Sequence, residues 1–292
     1  MDIFLQQLVN GVSLGSIYAL IALGYTMVYG IIKLINFAHG EVYMIGAFVG
    51  YAIPRVTGLG FLPALIISMA ACSLLGFTIE KIAYKPLRNS SRITVLITAI
   101  GVSLFLQYVM MFFVGAESRA YPNILDKVLY NLNGVIINSQ QIYIVLTTVI
   151  LMMLLQFIVK KTKPGKAMRA VSADRDAAQL MGIDVNNTIS FTFLIGSALA
   201  GAAGVLVGIY YNSIDPLMGI MPGLKAFVAA VFGGIGNIPG AMIGGLAIGI
   251  IETMVGGYGN SMYRDAAVFA LLIIVLIIKP SGLLGKTAGE KV

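Results

Sequence analysis

Six long runs without a charged residue dominate this chain and restrict what it can fold into. They extend from Ile3 to Ile32, Leu62 to Ile79, Ile93 to Ala116, Gln140 to Val159, Val185 to Ile214 and Ala226 to Ile251. A helix needs roughly 20 apolar residues to cross the hydrocarbon core of a bilayer, and each run is of that order. Charged residues make up 11% of the 292 positions and hydrophobic residues 59%, against about 25% and 45–50% in water-soluble domains. A water-soluble fold is excluded. The first run opens without a Lys/Arg-rich segment and is too long for a signal-peptide core, so it is read as a retained span.

The stretches between the runs are too short to hold a separate globular unit. Residues 1–292 are therefore read as a single all-α, polytopic helical membrane domain. Its roughly eight spans are expected near 9–32, 37–54, 62–80, 94–114, 141–159, 188–211, 222–254 and 262–279. Segment 222–254 contains Gly233, Gly234, Gly236, Pro239 and Gly240 near its middle. Such residues free backbone groups that lipid cannot satisfy, so the break must be buried in protein or face water. It reads either as one kinked span or as two half-helices forming a re-entrant hairpin.

The net charge of +7 does not indicate nucleic acid, because the basic residues fall in a few short loops. Lys81, Lys85, Arg88 and Arg92 mark one loop, Lys160 to Arg175 another, and Lys279, Lys286 and Lys291 the C-terminus. By the positive-inside rule these are cytoplasmic, with the N-terminus outside and the C-terminus inside. That parity requires 222–254 to turn back on itself, which favours the hairpin. Glycine and alanine recur every four positions at Gly11, Gly15 and Ala19, and again at Gly196, Ala200, Gly204 and Gly208. Small residues at this spacing let helices pack closely in lipid.

The segment Asn36-Phe37-Ala38-His39-Gly40-Glu41 holds the only histidine and a carboxylate between two apolar runs. Titratable groups within a membrane are functional candidates by default. The alternative is an interfacial turn, with water and Lys33 satisfying the polar groups. Metal chemistry is disfavoured, because Glu80, Glu252 and Asp265 lie in other segments and the lone Cys72 lies inside an apolar run. No Gly-x-Ser-x-Gly or other nucleophile constellation occurs, so the chain carries no enzyme signature. The run Gly282 to Thr287 imitates the end of a phosphate-binding loop, but Pro280 stands where the first glycine is needed. Any ATP coupling must come from a partner.

The loop 160–187 reads KKTKPGKAMRAVSADRDAAQLMGIDVNN. Pro164-Gly165 is expected to end the preceding span. Asp174 is a good N-cap and Gly182 a good left-handed C-terminal residue, so a short helix is expected from Arg175 to Met181. Ala177, Ala178, Leu180 and Met181 give it an apolar face that calls for the membrane interface, another part of the chain or a cytosolic protein as partner.

The stretches NGVSLGSIYAL at 10–20, GYTMVYGIIKLINFAHGEVYMIGA at 24–47, GGIGNIPGAMIGG at 233–245 and KPSGLLG at 279–285 resemble the Liv-H-type permeases of branched-chain amino-acid ABC importers, and the resemblance covers essentially the whole chain. It implies a bacterial plasma (inner) membrane permease subunit with no cofactor of its own, forming the translocation pathway for leucine, isoleucine and valine. The implied partners are a second related permease, two cytosolic ATPases that use the ATP, and an extracytoplasmic solute-binding protein. Arg169, Asp174, Arg175, Ala177, Ala178, Leu180, Met181 and Gly182 would belong to the ATPase-coupling loop. Asn36, His39, Glu41, Gly233, Gly236 and Pro239 are the candidates for the substrate pathway. The same family serves urea and short amides, and an ion-coupled secondary transporter is the rival from another class.

Overall fold

A computed structural model describes residues 2–88, 90–132 and 134–285. Lys286, Thr287 and Lys291, which entered the charge and phosphate-loop readings, lie outside the described residues. The first four helices are α1 (Asp2–Ile32), α2 (His39–Thr57), α3 (Phe61–Ile79) and α4 (Arg92–Val114). A π-turn (Glu80–Tyr84) and a 3-10 turn (Lys85–Leu87) continue α3. The strands β1 (Arg119–Ala120), β2 (Leu129–Leu132) and β3 (Val135–Asn138) precede α5 (Ser139–Lys161). Then come α6 (Lys163–Ala173), α7 (Arg175–Leu180), α8 (Val185–Tyr211), β4 (Ser213–Ile214), α9 (Ile220–Gly233), α10 (Ile238–Tyr258) and α11 (Arg264–Ile278).

Seven of these helical stretches are long and apolar enough to cross a membrane, and strand is confined to short pairs. β2 pairs with β3 as a hairpin, and β1 pairs with β4, which ties the α4–α5 connection to the end of α8. These two connections therefore share one end of the bundle, opposite α6 and α7. Helix starts follow the sequence. Asn138 and Gln141 form a reciprocal cap on α5, and Asp184 accepts the amide of Asn187 at the start of α8.

The core pair is α1 against α10, flanked by α8 and the α2–α3 pair. Both small-residue stripes lie in these seams. Gly15 faces Leu246 of α10, and Gly204 faces the backbone of Tyr43 and Ala47 on α2. By contrast α4, α5 and α11 are peripheral and expose apolar side chains such as Phe112, Phe157 and Ile277.

The region 222–254 is a hairpin. Gly233 packs on Gly240 and Gly244 on Ala229, so α9 and α10 run antiparallel. They are not two half-helices, because α10 has 21 residues and crosses on its own, whereas α9 has 14 and reaches only about 21 Å. Left-handed Gly234 (φ +102°) and Gly236 (φ +89°) make the turn. The chain's last described residues complete it, since Leu283 N–H donates to Phe232 O (2.8 Å) and Leu284 N–H to Gly233 O (3.1 Å). Two of the carbonyls that α9 leaves open at its end, those of Phe232 and Gly233, are thereby satisfied.

One helix was not foreseen. Pro164 does end α5, but it also starts α6 behind the N-cap Thr162, whose Oγ1 accepts the amide of Gly165 (3.2 Å). Proline is favoured in a first helical turn because the N–H it lacks has no partner there.

Candidate functional site

Two groups of candidate residues occupy different places. The first begins where Lys33, in the left-handed region (φ +55°), turns the chain back at the end of α1. Leu34 to Ala38 then run without helix until Asn36 O accepts the amide of His39 (3.1 Å) and α2 begins. His39 lies against Gly24 of α1, which lies beside Gly196 of α8; a methyl group on Gly24 would collide with the imidazole. Gly24 sits about 12 Å along α1 from Ile32, and Gly196 about 16 Å along α8 from Val185, at about 1.5 Å per residue. His39 and Glu41 are thus inside the helical bundle, which corrects the interfacial-turn reading drawn from Lys33.

Within this group, Asn36 Oδ1 accepts from Tyr84 O–H (2.7 Å), and the His39 ring stands edge-on to Tyr25 at 4.8 Å between centroids. Glu41 is buried. One of its oxygens accepts from Ser103 Oγ of α4 at 3.3 Å, and the other has no partner among the described residues. The start of α9 packs against the same point: Gly40 faces the carbonyl of Gly219 and the Cα of Gly223. Two helix N-termini, each carrying partial positive charge, therefore meet at one incompletely bonded carboxylate.

Gly233, Gly236 and Pro239 belong instead to the α9–α10 turn at the α6 end, where Gly236 faces Gly30 at the end of α1. Gly236 lines two adjoining cavities of about 420 and 440 Å³, shared with Arg169 and Ser172 of α6, and Pro239 lines the second. Arg169 thus faces this end of the bundle and is not part of α7.

The remaining candidates of the loop 160–187 lie on or beside the short helix expected there. Asp174 caps α7 by accepting the amides of Asp176 (3.0 Å) and Ala177 (2.9 Å). Gly182 closes it at φ +80°, donating to Gln179 O, while Ile183 donates to Ala178 O. The apolar face is divided. Ala178 turns inward, whereas Leu180 and Met181 are 89% and 82% exposed. Arg175 and Asp176 border a polar cleft of about 640 Å³ together with Lys85, Arg88 and Asp184.

Residues 7–277 match the family described as the permease component of the branched-chain amino acid transport system. The chain belongs to that permease family. It is 45% identical to the high-affinity branched-chain amino acid transport system permease protein BraD of Pseudomonas aeruginosa, over 99% of this chain and 98% of that one. Against LivH of Escherichia coli, a permease of the same description, identity is 46% over the same shares. The solved structure of PsaBC from Streptococcus pneumoniae in complex with Fab aligns with TM-score 0.50 over 95% of this chain and 92% of that one. At 13% identity, that likeness concerns fold alone. The protein is a multi-pass membrane permease subunit, not an enzyme.

Sequence reasoning missed a buried ionic network in this permease. Lys225 of α9 bonds Glu252 of α10 (2.8 Å) and Asp265 of α11 (2.6 Å), and Tyr18 O–H of α1 donates to Glu252 (2.9 Å). The sequence places Glu80 and Glu252 in separate segments and does not show what they pair with. Glu80 is in fact fully buried, pairing with Arg88 and accepting from Ser190 Oγ (2.6 Å). The available signal was that Lys225 and Glu252 bracket the run Ala226 to Ile251. A hairpin within that run brings its two ends together.

Proposed function

We propose that this permease forms the translocation pathway of an ATP-driven importer for leucine, isoleucine and valine. It would work with a second related permease, two cytosolic ATPases and an extracytoplasmic solute-binding protein. Full-length identity to BraD and LivH carries the substrate class. In this reading the α6–α7 end faces the cytoplasm, where basic residues of the α3–α4 and α5–α8 connections collect, and the β-strand end faces outward with the N-terminus.

Coupling runs through α7, because Leu180 and Met181 are apolar, exposed and held on a capped helix beside the polar cleft. ATPase closure would press on this helix and, through α6, on α5 and α8. The pathway is read as involving the Asn36–Glu41 segment, where Glu41 suits a substrate ammonium and the adjoining helix N-termini suit a carboxylate. An ion-coupled mechanism is the reading that the test below would favour if it overturned this one. The full-length matches are permeases of branched-chain amino acid transport systems, and of the buried carboxylates, Glu80 and Glu252 are committed to Arg88 and Lys225 while Glu41 is left to the pathway.

The test is reconstitution of the co-purified complex in liposomes with binding protein and ATP. Leucine uptake that requires ATP and exceeds urea uptake supports the proposal, whereas uptake by the chain alone under an ion gradient overturns it. In the same assay Leu180→Asp with Met181→Asp leaves the fold intact and lowers ligand-stimulated ATP hydrolysis about tenfold, the equivalent of about 1.4 kcal/mol of docking energy. Unchanged hydrolysis removes α7 as the docking element. Asn36→Ala lowers leucine uptake; if this variant transports normally in a folded complex, the pathway assignment is abandoned.

A further inference from the structure

The adjoining cavities at the α6 end are distinguished by their charge. Lys33 follows α1, Lys160 lies in the last turn of α5 and Arg169 projects from α6; all three are exposed, and all three line the larger cavity. No acidic residue lines either cavity. The ion pairs among the described residues involve Arg88 and Lys225, and not these three cations. The local sequence supplies no counter-charge either, since no Asp or Glu occurs between Asp126 and Asp174. Ser172 O–H donates to Gly30 O (2.7 Å), which ties α6 to α1 and fixes the walls.

The chemistry of such a cavity selects an anion. A branched-chain amino acid has no net charge, and its ammonium would find no carboxylate here. The flank of the cavity is α5, which exposes Met153, Leu154 and Phe157 along its length just before Lys160. An occupant with a phosphate head and apolar tails satisfies both surfaces, because basic pockets between membrane helices on the cytoplasmic side hold anionic headgroups.

We propose that Lys33, Lys160 and Arg169 form a binding site for the phosphate of an anionic phospholipid, bridging α1, α5 and α6. Its assignment to the cytoplasmic leaflet rests on the orientation given under Proposed function. The site joins the element next to α7 to the bundle, so an occupied site would stiffen the route from the coupling helix to α1.

The test uses the assembled complex with its full-length chain, purified and exchanged into nanodiscs of dioleoyl-phosphatidylglycerol or dioleoyl-phosphatidylcholine. Bound lipid is counted by native mass spectrometry and thermal stability is read in parallel. The chain is expected to retain phosphatidylglycerol selectively. Retention should weaken about fivefold per cation replaced, and on the order of a hundredfold in Lys33→Gln/Lys160→Gln/Arg169→Gln. A control, Lys161→Gln/Lys163→Gln/Lys166→Gln, removes the same charge beside the cavity and keeps retention. Equal retention by the first triple variant and the unmodified chain, or equal loss in the control, overturns the site. If millimolar inorganic phosphate in phosphatidylcholine discs reproduces the stabilisation, the occupant is free phosphate and the lipid assignment falls. Retention needs neither ATP nor transport, so a failure of the importer reading leaves this result separately legible.

Discussion

Lys225→Ala lowers the stability of the folded permease by about 3–5 kcal/mol, the usual cost of leaving a buried charge without its partner. Glu252 is the charge left behind. It is 4% exposed, and once the ammonium is gone its strongest remaining contact is the Tyr18 hydroxyl. Asp265 suffers little, because its side chain is 45% exposed and water replaces the lost bond. The double variant Lys225→Met/Glu252→Gln therefore recovers most of the loss, since neither product is charged. Denaturation of the detergent-solubilised permease measures both. Equal losses in the single and double variants would show that packing around α9 matters and the ion pair does not.

Gly249→Leu has an effect of similar size by a different route. A Cβ at Gly249 would run into the backbone N and Cα of Gly15 and stand 2.7 Å from the carbonyl of Gly11. A side-chain neighbour could rotate away, but backbone cannot, so α1 and α10 must separate. These two helices make the most extensive helix pair in the protein. Overpacking that forces a backbone shift costs about 3 kcal/mol at the upper end of its usual range. Gly101→Leu on α4 is the matched control, because nothing lies within 4 Å of its Cβ position, and its melting temperature stays where it was. If Gly249→Leu behaves like the control, the seam is looser than its geometry states.

The contrast between these variants explains what could be read in the sequence. Uncharged runs announce spans because lipid forbids charge, and the spacing of Gly11, Gly15 and Ala19 announces a close seam because only small residues permit one. The helix at Arg175–Leu180 was legible because Asp174 and Gly182 act within one turn of their own positions. α6 was hidden by a local rule with two meanings: Pro164 both stops one helix and starts another. The depth of His39 was not legible from neighbouring residues, and the Lys225 network was legible only through the hairpin that brings Lys225 to Glu252. Each depends on which distant helix lies opposite, Gly24 and Gly196 in one case and Glu252 and Asp265 in the other.

The contact of Leu283 and Leu284 with the end of α9 also bears on how the permease is made. A chain is synthesised from its N-terminus, so α9 and α10 enter the bilayer before the residues that close their turn exist. Until Leu284 leaves the ribosome, the carbonyls of Phe232 and Gly233 lack the partners they have in the finished protein. Closure of the α9–α10 turn therefore waits on residues about 50 positions further along the chain, and a nascent chain stalled before Leu284 lacks the two hydrogen bonds that close it.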